Sequence, residues 1–217
     1  SLVLLALWPA ALLYPVSVPF GLGQVWDTRE MELASLLAET PFLAWVPFRV
    51  ENPLPLSPLA EAFCVALGLL APLLMGFADM RSLSRRVGFL VAFFVCALAV
   101  AGLSSALTYG PDHGWAWITS QALLGLALAF VAGLALLVLP RRVCHALMLL
   151  CLATSLSLLN RAPVSPYFDQ SLEVWEQGRF IRFYGLSQWL GWAWPYAALL
   201  FGLRAIARHP GGGKGAH

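Results

Sequence analysis

Between Arg86 and Arg141 the chain carries only one Asp, Glu, Lys or Arg, the turn residue Asp112. On either side of that turn, Val87–Leu107 and Trp115–Leu139 run without charge, each for about the 20 residues that a helix needs to cross a bilayer. A water-facing surface cannot be built from such a stretch. The rest of the chain agrees, since 60% of its residues are hydrophobic and 11% charged, against about 25% charged in soluble domains. The sequence is therefore read as all-α, a polytopic transmembrane bundle.

Six spans are expected, near residues 2–18, 58–77, 87–107, 115–139, 143–159 and 186–206, in a single membrane domain covering 1–209. The first is short or kinked, because Pro9 and Pro15 remove amide donors that lipid cannot replace. Ser57-Pro58 starts the second, the hydroxyl capping free amides and the proline taking the first helical position. Glu61 in its first turn suits the positive end of the helix dipole at headgroup level. Pro72 deprives the Gly68 carbonyl of its helical donor. Ala97, Ala101 and Ser105 in the third span and Gly125, Ala129 and Gly133 in the fourth recur at intervals of four, which lets backbones approach closely in lipid. The expectation is that these two helices pack together.

Two polar stretches interrupt the spans. Residues 23–40 place Val25, Leu33, Leu36 and Leu37 on one side and Asp27, Arg29, Glu30, Glu32 and Glu39 on the other, an amphipathic interfacial helix. The proline-rich stretch after it sets Phe42, Trp45 and Phe48 at a membrane surface. The second stretch, residues 160–184, is expected to form an interfacial helix near 169–184. There Glu176, Arg179 and Arg182 fall at i, i+3 and i+6 beside an apolar row of Phe168, Leu172 and Trp175.

The arginines fix the threading. Arg81, Arg85, Arg86, Arg141, Arg142, Arg204, Arg208 and Lys214 fall on one side, beside the shorter connections, and Arg29, Arg49, Arg161, Arg179 and Arg182 on the other. Basic residues in short loops mark the cytoplasmic face, so both amphipathic stretches are extracytoplasmic and the C-terminus is cytoplasmic. Residues 210–217, rich in glycine, are expected to be a disordered tail. The chain starts at Ser1 inside an apolar run without a basic leader or small-residue cleavage motif, so a piece of a longer protein is expected in preference to a trimmed signal-like segment.

The binding site expected from these residues is the extracytoplasmic cap. Arg161, Arg179 and Arg182 present guanidinium forks to an anionic lipid phosphate or polyprenyl-linked precursor, Glu176 orients one of them, Trp175 or Trp189 covers the chain or sugar, and Gln188 is counted among the binding residues. A purely structural helix with its Glu and Arg paired is the competing reading. No catalytic residue is assigned, and no metal or cofactor is expected: neither H-x-x-x-H nor paired carboxylates occur, and Cys64, Cys96, Cys144 and Cys151 lie in apolar runs as small hydrophobes. Asp112 and His113, adjacent in a turn, are read as structural, and His145 as interfacial. The scattered basic residues exclude a nucleic-acid surface.

The run SLLNRAPVSPYFDQSLEVWEQGRFIRFYGLSQWLGWAWPYAALL resembles the C-terminal part of large bacterial VanZ-like membrane proteins, the family named for teicoplanin resistance. LLYPVSVPFGLGQV, TPFLAWVPFRV and CVALGLLAPLLMGF resemble the segment before it. The compact VanZ-like domain has an acidic residue, a Gln and downstream Arg, Asp and Asn. After the third span this chain has Tyr109, Asp112, Gln121 and Gly125 and no matching Asn, so it is either the half that follows that domain or a divergent copy. The resemblance implies an envelope role in the bacterial inner membrane. Three functions stay open: binding of a membrane lipid or lipid-linked precursor, an enzyme acting on a lipid-linked phosphate or glycan, and an accessory subunit bound to an integral membrane partner or to the upstream half of the same protein.

Overall fold

In the computed structural model the described residues are 1–14, 16, 18–23, 56–160 and 181–207. Among them there is no strand, and six α-helices follow in order: α1 Leu2–Ala11, α2 Pro58–Asp79, α3 Leu83–Tyr109, α4 Ser120–Ala135, α5 Arg141–Leu159 and α6 Ile181–Ala207. A single 3-10 turn, Leu136–Val138, prolongs α4.

Four of these are long and apolar enough to cross a membrane: α2, α3, α4 with its 3-10 turn, and α5. The chain is a membrane-embedded helical protein. Helix α1 has only 10 residues, about half a bilayer at 1.5 Å per residue, and ends well before the expected limit near residue 18. Helix α6 has 27 residues but is not among the four, its upper half being diluted by Ser187, Gln188, four aromatic side chains and Pro195. The expected interfacial helices near 23–40 and 169–184 lie outside the described residues, apart from Gly23 and the start of α6.

Helix α2 is the axis. It begins where the sequence predicts, the Ser57 hydroxyl accepting from the Ala60 amide at 3.3 Å with Pro58 in the first turn. Two thirds of its most apolar 18-residue window is buried, against 22% for α3 and 28% for α4. Its main partners are α5 and α4. Helix α3 instead turns Val87, Val91, Val95, Leu98 and Leu103 outward, an apolar surface that suits lipid and would be costly in water.

The small-residue stripe of α4 therefore meets a different helix from the one expected. Gly125 faces Ala62 and Val65 of α2, whereas Gly133 approaches Leu90 of α3 while also touching Leu73 of α2. On α3, Ala97 is buried in the core but Ser105 donates to the His113 carbonyl at 2.7 Å, tying the helix to its own following turn. Periodicity shows that a face is smooth without showing what will lie against it.

After α1 the chain folds back into the bundle. Phe20 has φ +63°, a conformation that bulky L residues rarely take. Gly68 makes room for it: a Cβ there would stand 2.4 Å from the Phe20 carbonyl oxygen. The Phe20 ring lies 6.4 Å from Trp8 and edge-on to Trp117 at 5.7 Å. Trp8 continues the row to Phe93 at 4.8 Å, Phe89 follows at 5.9 Å and Phe77 at 6.4 Å. Aromatic contacts thus link α1, α2 and α3, each adding about 0.5–1.5 kcal/mol beyond burial.

Candidate functional site

The two ends of the bundle differ in what their polar groups do. At one end Arg86, in the first turn of α3, is 6% exposed. Its Nη1 donates to the carbonyls of Leu137 at 2.6 Å and Leu139 at 2.7 Å, and its Nε to that of Met80 at 3.1 Å. Arg141, the first residue of α5, donates from Nε to the Ala78 carbonyl and from Nη2 to that of Asp79 at 3.2 Å. Each guanidinium thus supplies donors to carbonyls at the end of another helix, Arg86 at the end of the α4 segment and Arg141 at the end of α2. The last carbonyls of a helix have no donor within it and carry the negative end of its dipole, so a forked cation satisfies both needs at once.

Sequence reading counted these arginines for topology and missed this role. There was a signal. A cation in the first turn opposes its own helix dipole, and both Arg86 and Arg141 sit there. Such a placement is favourable when the side chain reaches the C-terminus of a neighbour. Arg81, Arg85 and Arg142 are exposed beside them. The C-terminal part of α6 reaches the same end, since Gly202 packs on Met148 and Leu149 and Phe201 lies 6.0 Å from His145, both in the first half of α5. The sequence placed these basic positions on one side, and in the structure the two short connections do lie together. His145 bonds through Nδ1 to the Arg141 carbonyl at 2.9 Å, a local structural role.

At the other end, Asn160 caps α5. Its Nδ2 donates to the Leu156 carbonyl at 2.9 Å and to that of Gly23 at 3.3 Å. Residue 23 is the last described before one long connection and residue 160 the last before the other. The two polar stretches therefore set out from hydrogen-bonded neighbours. The turn holding Asp112 and His113 belongs to this end as well; both are exposed in a 3-10 turn.

Of the residues expected to form the cap, Arg161, Trp175, Glu176 and Arg179 lie outside the described residues. Arg182 falls in the first turn of α6 by its backbone, its side chain outside the description. Gln188 is half-buried, and Trp189 is 62% exposed with its ring edge-on to Trp192 at 5.8 Å. Farther along α6, Trp194 is buried and its Nε1 donates to the Leu4 carbonyl at 2.7 Å, pinning α6 to α1.

No family model, curated protein or solved structure matches the chain. Its chemistry must be read from its own residues. Among the described residues, no three His, Cys, Asp or Glu side chains gather to hold a metal ion. The four cysteines are free thiols, with Cys64, Cys144 and Cys151 buried and Cys96 exposed on the outer face of α3. Glu61 stands half-buried in the first turn of α2, on the same end as Asn160.

Proposed function

We propose that the chain is a VanZ-like integral membrane protein of the bacterial cell envelope that binds an anionic lipid or lipid-linked precursor through an extracytoplasmic cap. The observation that carries this reading is the contact between Asn160 and Gly23. It brings the starts of both polar stretches to one end of the bundle, opposite the end where Arg86 and Arg141 are occupied by helix carbonyls. The second stretch carries Arg161, Arg179 and Arg182. Forked donors of this kind recognise phosphate bidentately. Trp189, exposed in the first half of α6, adds an aromatic body of the sort that settles among headgroups.

In this reading the protein is multi-pass in the inner membrane, with the Arg86 and Arg141 end and the C-terminus in the cytoplasm. Lipid retention is the direct test. Protein purified with phosphatidylglycerol and examined by native mass spectrometry is expected to keep that lipid over phosphatidylcholine. The double substitution Arg179→Ala, Arg182→Ala should weaken retention about ten-fold or more, as loss of two charge-assisted contacts requires. Equal retention by the variant removes the cap as the lipid site.

Sidedness is tested separately. In a background without native cysteines, Glu176→Cys in intact cells is expected to react with a membrane-impermeant maleimide added outside. Reaction only after the cells are opened would reverse the threading.

A further inference from the structure

One small cavity lies inside the bundle, walled by Trp8, Phe20, Leu22, Leu67, Gly68, Leu152, Ser155, Leu156, Trp194 and Pro195. Five parts of the chain meet there: α1, the returning segment with Phe20, and the middles or outer halves of α2, α5 and α6. Three of these residues, Trp8, Ser155 and Gly68, bring polar groups to the lining. Trp8 is 2% exposed, and its indole Nε1 is buried with no hydrogen-bond partner among the described residues. Ser155 is 5% exposed. Gly68 has a carbonyl whose helical donor is missing, because Pro72 occupies the position four residues on.

We propose that this cavity is a binding site for one water molecule, which accepts from Trp8 Nε1 and is shared with Ser155 Oγ and the Gly68 carbonyl. Three observations converge on it. A buried indole N–H left unpaired costs about 1–3 kcal/mol, and the bundle avoids that cost for Trp194 on the same wall by aiming its N–H at the Leu4 carbonyl. The three polar groups are complementary: a donor, a hydroxyl that does both, and an acceptor, within the two to four partners that a buried water needs. The space available to the centre of a water-sized sphere is about 10 Å³, which admits one water and excludes a lipid chain or a larger solute.

The site has a structural consequence. Phe20 with its positive φ, the Pro72 break in α2 and Pro195 in α6 all border or adjoin this cavity. A water there satisfies backbone groups that lipid cannot, which is how proline-interrupted helices are tolerated in membranes.

The test compares two indoles on one wall. In bilayers containing protein labelled with 15N-tryptophan, solid-state NMR follows magnetisation passing from water to each indole N–H, the Trp8 signal being assigned by its loss in Trp8→Phe. Trp8 is expected to receive water magnetisation at least about three-fold faster than Trp194, whose N–H is bonded within the protein. Ser155→Val, which fills the space and removes a partner, should bring Trp8 down to the Trp194 rate. A Trp8 indole as slow as Trp194 in the wild-type protein means a dry cavity and overturns the site, with no substitution needed. A fast Trp8 that a folded Ser155→Val leaves unchanged overturns it also, since the water would then come from elsewhere.

Discussion

Arg86→Met is expected to destabilise the bundle by about 3 kcal/mol, because three helix-end carbonyls, those of Met80, Leu137 and Leu139, lose their donors together. Methionine keeps much of the aliphatic stem and its packing, so the loss reports on the guanidinium. That group also lies 5.8 Å from the centre of the Phe77 ring, an attraction that methionine only partly replaces. Arg86→Lys should regain less than half. An ammonium is a point donor, and it cannot reach Met80 in one direction and the Leu137–Leu139 pair in another as the fork does. Arg141→Ala should cost less than Arg86→Met, since Arg141 is exposed and water can replace it at Ala78 and Asp79. The protein supplies its own reporter. In a Cys96→Ala background the remaining cysteines, Cys64, Cys144 and Cys151, are buried, so a thiol-reactive fluorophore lights up as the bundle opens on heating. A loss of this size lowers the midpoint by about 6–12 °C in a chain of this length. A midpoint for Arg86→Met within about 2 °C of wild type would show that the arginine clamp adds little to stability.

That clamp marks the boundary of what could be read without coordinates. The run from Val87 to Leu107 announces a helix because nothing in it can leave lipid, and a helix stands there, extended to Leu83–Tyr109. Ser57 and Pro58 announce a helix start by local chemistry, and the start is where they put it. The fourth helix begins at Ser120 instead of near residue 115 because Thr119 caps the Ala122 amide at 3.1 Å, a local signal overlooked behind two tryptophans. Partner choice was not legible. The donors on Arg86 and their acceptors on Leu137 and Leu139 are separated by most of two helices, and no local pattern joins them. The same holds for Asn160 and Gly23. Of the cap, Gln188 and Trp189 fall in the first half of α6, while Arg161, Trp175, Glu176 and Arg179 lie outside the described residues. A row of side chains at i, i+3 and i+6 states which residues share a side of a helix, and whether they meet a ligand depends on contacts that spacing does not encode.

The pairing of α2 with α4 can be tested by adding one carbon. A methyl at Gly125 would lie 2.5 Å from Val65 Cβ and 2.6 Å from the Ala62 carbonyl oxygen. Both belong to the backbone, or the first side-chain atom, of the central helix, so neither can swing aside and the helices must separate. Apolar side chains gain nothing by leaving one hydrocarbon for another, and association in lipid depends on close van der Waals contact. Gly125→Ala is therefore expected to cost about 2 kcal/mol, in the range of overpacked cores. At Gly133 the added methyl would come within 2.8 Å of Leu73 Cδ2 and 3.0 Å of Leu90 Cδ1, the free ends of side chains that can rotate, and the cost should stay below about 1 kcal/mol. Gly88, also helical, has nothing within 4 Å of the same position. Gly88→Ala should be neutral or stabilising by up to about 1 kcal/mol, from helix propensity alone. The order Gly125, Gly133, Gly88 in the same thermal thiol assay is the prediction. Equal midpoints for Gly125→Ala and Gly88→Ala would mean that α2 and α4 do not touch at Ala62 and Val65, and α2 would lose its place as the axis around which the other helices are arranged.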